Sequence, residues 1–231
     1  MLVLSLSSLI DEAIADENIK NLSGNVSSFD KLLRKESLAL LEKKHNGLFA
    51  YLAFHPGSDK NITEYIRQGS LSSDSGTNIL VLFTLDAEAK WATPISSQTF
   101  GSWIDIDSAI HPSYELIRIM FSKTTIPPLP GIVFFERFST ERDPVYVSLQ
   151  GITTSEQTRD LLRTSFSLAN NAFKSSREKG DFADIFSIEL QKKKIAHQKA
   201  GKISMSEWLV KAYQVVWNNK GDIVSAVGLF K

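Results

Sequence analysis

Two rhythms of apolar and polar positions run through this chain. Residues 48–54 and 78–85 are near-continuous apolar runs, the pattern of strands covered on both faces. Between them, residues 55–59 hold a Pro-Gly turn, and Ile62, Tyr65 and Ile66 share one side of a short helix over 61–68 that Gly69 can end. Strand, helix and strand in this order predict a βαβ unit with parallel strands.

Helical spacing dominates on either side of that unit. Leu2, Leu6, Leu9, Ile10, Ala13 and Ile14 form an apolar stripe over 2–22. Residues 1–10 look like a signal-peptide core, but no basic start precedes them and Asp11 and Glu12 follow, so they read as the first helical turns. A second helix, with Ser27 and Asp30 as a capping box, carries Phe29, Leu32, Leu33, Leu40 and Leu41 and ends near Gly47. Together these predict an N-terminal helical extension over 1–46. Pro112 opens another helix, with Tyr114, Ile117, Met120 and Phe121 on one face. Strands are expected over 131–138 and 144–149 around a turn at 139–143, followed by a helix over 154–176 carrying Leu161, Leu162, Phe166, Leu168 and Phe173. Two further helices over 182–198 and 204–218, with an apolar tail over 223–230, make a C-terminal helical extension over 179–231.

From residue 48 to 176 the element order is β-α-β-α-β-β-α, with Pro130 immediately before the third strand and Gly151 after the fourth. This order resembles the thioredoxin-like fold superfamily over a little over half the chain. The resemblance implies an α/β domain over 47–178 with a cis-proline at Pro130. It also implies a Cys-x-x-Cys pair at a helix start near residues 86–90, where a helix dipole would lower a thiol pKa. This chain has Asp86, Ala87, Glu88, Ala89 and Lys90 there, and it has no cysteine at all. Thiol–disulfide exchange needs a thiolate, so redox catalysis is excluded by composition, as are disulfides and thiolate metal sites. The resemblance is therefore to a non-redox member.

Charge narrows the choice further. Lysine and arginine number 26 and aspartate and glutamate 26, so no net field holds the chain on nucleic acid or on an anionic membrane. No run approaches the roughly 20 apolar residues that span a bilayer, and a cytoplasmic protein without membrane contact is expected. His45, His55, His111 and His197 belong to no catalytic or metal-binding motif, and no nucleotide fingerprint occurs, so no metal and no cofactor are expected.

Three surfaces remain. Trp208, Tyr213 and Trp217 lie on one face of the last helix, and Trp91 and Trp103 lie in the irregular stretch after the second strand; such aromatics suit either an interface or a core. Asp86, Glu88, Asp105 and Asp107 sit where an α/β sheet tends to bind ligands, which would suit a hydrolase, although carboxylates there are commonly solvated or caps. Lys192, Lys193 and Lys194 head a basic stretch over 192–202, expected on a helix, that could lie along a phosphate backbone but lacks interleaved aromatics. The reading adopted is a non-catalytic interaction or scaffold protein with a protein partner or a second copy of itself. A carboxylate hydrolase and a nucleic-acid-binding accessory protein are the alternatives.

Overall fold

The computed structural model describes residues 26–28, 39, 42–43, 45–55, 57–83, 112–179 and 181–208. In chain order these form strand β1 (Val26–Ser28), strand β2 (Leu48–Ala53), helices α1 (Lys60–Arg67) and α2 (Leu71–Ser75), and strand β3 (Ile79–Phe83). Helix α3 (Pro112–Met120), strands β4 (Gly131–Phe135), β5 (Glu141–Arg142) and β6 (Val145–Ser148), and the long helix α4 (Ser155–Lys179) follow. Helix α5 (Phe182–Lys192), strands β7 (His197–Lys199) and β8 (Ile203–Ser204), and a helical turn over 205–208 complete the described chain.

Six strands form one mixed sheet in the order β1-β3-β2-β4-β6-β7, while β5 and β8 form a separate pair. β2 and β3 are parallel, as the βαβ pattern predicts, and β1 is parallel to β3 on its other side. β4 is antiparallel to β2, β6 to β4, and β7 to β6.

The continuous apolar runs have a direct cause. Alternate residues of a strand face opposite sides of the sheet, and here both sides are covered. Leu48, Ala50 and Leu52 of β2 pack with Ile62 and Tyr65 of α1, Phe166 of α4 and Phe186 of α5. Phe49, Tyr51 and Ala53 face the other layer, with Leu116, Ile117 and Phe121 from α3 and its end, and with Met205 and Trp208. Phe49 lies 4.4 Å from Phe138 and 5.7 Å from Phe135 between ring centroids, so this second layer is dense in aromatics.

α4 buries Leu162 and Phe166, as expected, together with Ala169 and Ala172, while Leu161, Leu168 and Phe173 are only partly buried against the same core. Thr154 Oγ1 accepts from the Gln157 N–H at 3.2 Å and Gln157 Oε1 accepts from the Thr153 N–H at 3.1 Å, a reciprocal cap. Its 25 residues extend about 37 Å. It therefore spans the sheet, from Thr158, bonded to Asn61 after the turn that follows β2, to Arg177, bonded to the Asn46 carbonyl before β2.

Four expectations need correction. The helix expected over 182–198 stops at Lys192, so Lys192, Lys193 and Lys194 do not lie on a basic helix over 192–202. The chain turns because Lys194 adopts a positive φ of 57°, with the Lys194 N–H on the Gln191 carbonyl and the Ile195 N–H on the Leu190 carbonyl. This is a Schellman end without its usual glycine. The C-terminal extension is accordingly not all helical: it supplies β7 to the sheet and Phe182, Phe186 and Leu190 of α5 to the core. Within the expected turn at 139–143, Glu141 and Arg142 pair with Ser204 and Ile203 as strands. Ser27, expected to cap a helix, lies in β1; the rest of the expected N-terminal helices falls mainly outside the described residues.

Candidate functional site

Because β2 and β3 are parallel and β4 runs against β2, one end of the sheet collects the exits of β2 and β3 and the entry to β4. Ala53 pairs with Gly131, which sets the turn after β2 beside Pro130. The Leu129–Pro130 peptide bond is cis.

The turn is held by its own side chains. His55 is buried, and its Nδ1 accepts from the N–H groups of Gly57 at 3.1 Å and Ser58 at 3.3 Å. Two donors on Nδ1 leave the proton of the neutral ring on Nε2. The His55 N–H donates to Asp59 Oδ2 at 2.6 Å, and the Asp59 N–H returns a bond to the His55 carbonyl at 2.8 Å. Tyr114 of α3 donates its hydroxyl to the same Asp59 oxygen, tying α3 to the turn. Burial pushes the Tyr114 phenol well above its usual range, and the Asp59 carboxylate pushes it further.

Beside this cluster, Tyr146 of β6 donates to the Pro128 carbonyl at 2.7 Å, and Ser148 Oγ reaches the same oxygen at 3.3 Å. Burial drives the Tyr146 phenol far above the usual range, with Tyr114 and Asp59 adding to it. Both phenols thus stay protonated as donors. His55 Nδ1 is taken by the two turn N–H groups, so the cluster ties the turn after β2 to itself and, through Asp59, to α3.

The segment before Pro130 behaves differently. Residues 122–126 are exposed, and Ile126, at 48% exposure, is one of two large exposed hydrophobic residues among those described. The carbonyls of Thr125, Pro128 and Pro130 are taken by Gln198 Nε2, by Tyr146 and Ser148, and by the Leu149 N–H. The N–H and carbonyl groups of Ile126 and Leu129 have no hydrogen-bond partner among the described residues.

The residues singled out by sequence are scattered. Trp208 is 7% exposed, with its ring 5.9 Å from that of Tyr51, and so belongs to the core rather than to an exposed face. Tyr213, Trp217, Trp91, Trp103 and the carboxylates Asp86, Glu88, Asp105 and Asp107 lie outside the described residues, as does His111. Lys192, Lys193 and Lys194 are exposed, but Lys192 pairs with Glu189 at 2.6 Å and the nearby Lys199 with Asp184 at 2.8 Å. Among the described residues, no three His, Asp or Glu side chains are placed to hold a metal ion. No described helix is long and apolar enough to cross a membrane.

Sequence reading sees residues 55–59 as a turn but misses the cluster, because Tyr114 is distant in the chain. Comparison with models of protein families, with curated proteins and with solved structures finds no match.

Proposed function

We propose that the chain is a thioredoxin-like, cysteine-free binding protein that takes an extended polypeptide segment along residues 124–130. Support for the fold comes from the order β3-β2-β4-β6, the parallel first pair with two antiparallel additions, and the cis bond before β4. The observation that carries the binding role is the pair of open backbone positions at Ile126 and Leu129 beside an exposed isoleucine side chain. A partner strand would satisfy those amides and carbonyls while Ile126 enters an apolar contact, which is how extended peptides add to exposed backbone. Prolines at 127, 128 and 130 hold φ near about −65° and keep the segment open at little entropic cost on binding. The rigid turn of His55, Asp59 and Tyr114 forms a fixed wall beside it.

The experiment is selection from a displayed random-peptide library on the purified full chain, followed by titration calorimetry with a selected peptide. Ile126→Asp removes the apolar contact and Ile126→Pro removes the N–H; each is expected to weaken binding by about tenfold or more, with circular dichroism unchanged. Affinity in both variants equal to that of the unmutated chain would refute this binding mode.

A further inference from the structure

At the end of the sheet opposite Pro130, where β4 runs out and α4 meets α5, lies a cavity of about 300 Å³. Its charged wall comprises Arg137, Arg142, Arg177, Glu136 and Asp181, and Phe173 supplies an apolar side. The three arginines come from three places: the residues after β4, strand β5 and the last turns of α4.

What sets these arginines apart is how little they are engaged. Arg137 stands 3.8 Å from Glu42 and Arg142 4.0 Å from Glu136, both beyond hydrogen-bond reach. Arg177 lies over the Phe173 ring, 5.1 Å from its centroid, and makes a single 3.4 Å bond to the Asn46 carbonyl. Each guanidinium carries five N–H donors, and among the described residues the three share that one bond. Arg159 shows the contrast: it grips Asp74 with two bonds, at 3.0 and 3.3 Å. Arg159 is thus a tie in bidentate geometry, which none of the three cavity arginines makes among the described residues.

The acidic residues do not cancel the surplus. Asp181 commits Oδ1 to the Ala183 N–H as the cap of α5. Glu136 is half-buried, and desolvation pushes its carboxyl up, opposed in part by Arg142. Three fixed cations thus face two lining carboxylates, one already engaged and one penalised for ionising, while the third acid nearby, Glu42, is held by the N–H groups of Phe138 and Ser139 and the Ser139 hydroxyl.

We propose that this cavity is a binding site for the phosphate group of a small phosphorylated molecule, held by Arg137, Arg142 and Arg177. Planar forks arriving from three elements fit the several terminal oxygens of a tetrahedral phosphate better than the two coplanar oxygens of a carboxylate. The remaining volume along Phe173 accommodates the body of the ligand. This site is separate from the polypeptide-binding segment, because β4 places Pro130 and Glu136 at opposite ends of one strand.

The test is thermal unfolding of the full chain titrated with inorganic phosphate, and in parallel with a mononucleotide, against sodium chloride at equal ionic strength. Both probes are expected to raise Tm saturably above the chloride control, as a ligand bound only to the folded state must. The double variant Arg137→Gln with Arg142→Gln is expected to weaken the apparent affinity by about tenfold or more. Should that variant fail to fold, the arginine Nε–H resonances of the unmutated chain serve instead, and those of Arg137, Arg142 and Arg177 are expected to move together on adding phosphate. No rise over chloride, equal affinity in the variant, or unmoved resonances at these three arginines would overturn the proposal.

Discussion

Tyr146 stands over the bare Cα of Gly131, so close that a methyl group on Gly131 would overlap the phenol ring. The ring has no room to withdraw, because its hydroxyl is bonded to the Pro128 carbonyl at 2.7 Å and its face meets Phe121 at 5.8 Å. Glycine is required here by close approach. This contact fixes where β4 begins, and with it the end of the segment that carries Ile126.

Gly131→Ala is therefore expected to destabilise the chain by roughly 1–3 kcal/mol, as overpacking of a tight interior does. Tyr146→Phe keeps the ring and removes only the bond to Pro128, for a loss of about 1 kcal/mol. Urea unfolding of the two single variants measures both. Equal stability of Gly131→Ala and the unmutated chain would show that β4 shifts freely.

Asp74 is the best enclosed charge among the described ion pairs, its side chain 5% exposed between Arg159, at 3.0 Å, and Arg163, at 3.5 Å. It also accepts from the Tyr65 hydroxyl at 3.2 Å, and burial followed by the Asp74 charge pushes that phenol far above its usual range. Asp74→Ala leaves the buried Tyr65 hydroxyl without this acceptor, a loss of roughly 1–3 kcal/mol. Arg163→Gln, at a side chain 58% exposed, is expected to change stability much less. If the two variants unfold at the same urea concentration, Asp74 is not the centre of this tie between α2 and α4.

These contrasts explain what the sequence discloses. β2 and β3 are legible because all their residues are buried between two layers, so an apolar run is the only sequence that fits. The face of α4 is legible from its spacing. The end of α5 is not, since the left-handed position that stops it is filled by Lys194, and a lysine run otherwise favours continuing a helix. β7, with His197, Gln198 and Lys199, sits at the sheet edge, where polar residues are normal and no apolar alternation announces a strand. At the candidate site, Pro130 is visible as a residue. That Ile126 and Leu129 find no backbone partner among the described residues, and that His55 meets Tyr114, depends on how distant segments fold together.

Tyr114→Phe tests how far the Pro130 end depends on that meeting. The substitution retains the ring 6.1 Å from His55 but leaves Asp59 Oδ2 with only the His55 N–H as a donor from this cluster. A loss of about 1 kcal/mol is expected. Faster amide hydrogen exchange at Gly57 and Ser58 should accompany it, because the turn loses its tie to α3. Unchanged exchange at these amides would mean that His55 Nδ1 alone holds the turn.

Glu136 gives the chain a pH dependence of predictable sign. Desolvation, the largest influence, raises its carboxyl above the ordinary value of 4.5; Arg142 and Arg137 pull it down and Asp181 pushes it up. Below 4.5 the group is protonated in both folded and unfolded chains and adds nothing to the pH slope. Above that value the unfolded chain releases the proton first, so the folded state holds more protons and its stability falls as pH rises through the folded value. Glu136→Gln removes the ionisable group. Its Tm relative to the unmutated chain is expected to be higher at neutral pH, with the advantage shrinking as pH falls toward 4.5. Bound phosphate adds negative charge beside the carboxyl and favours its protonated form, so saturating phosphate should move the fall in stability of the unmutated chain to higher pH. A Tm difference that is constant with pH, or of opposite sign at neutrality, would show that Arg142 and Arg137 outweigh desolvation at this carboxyl.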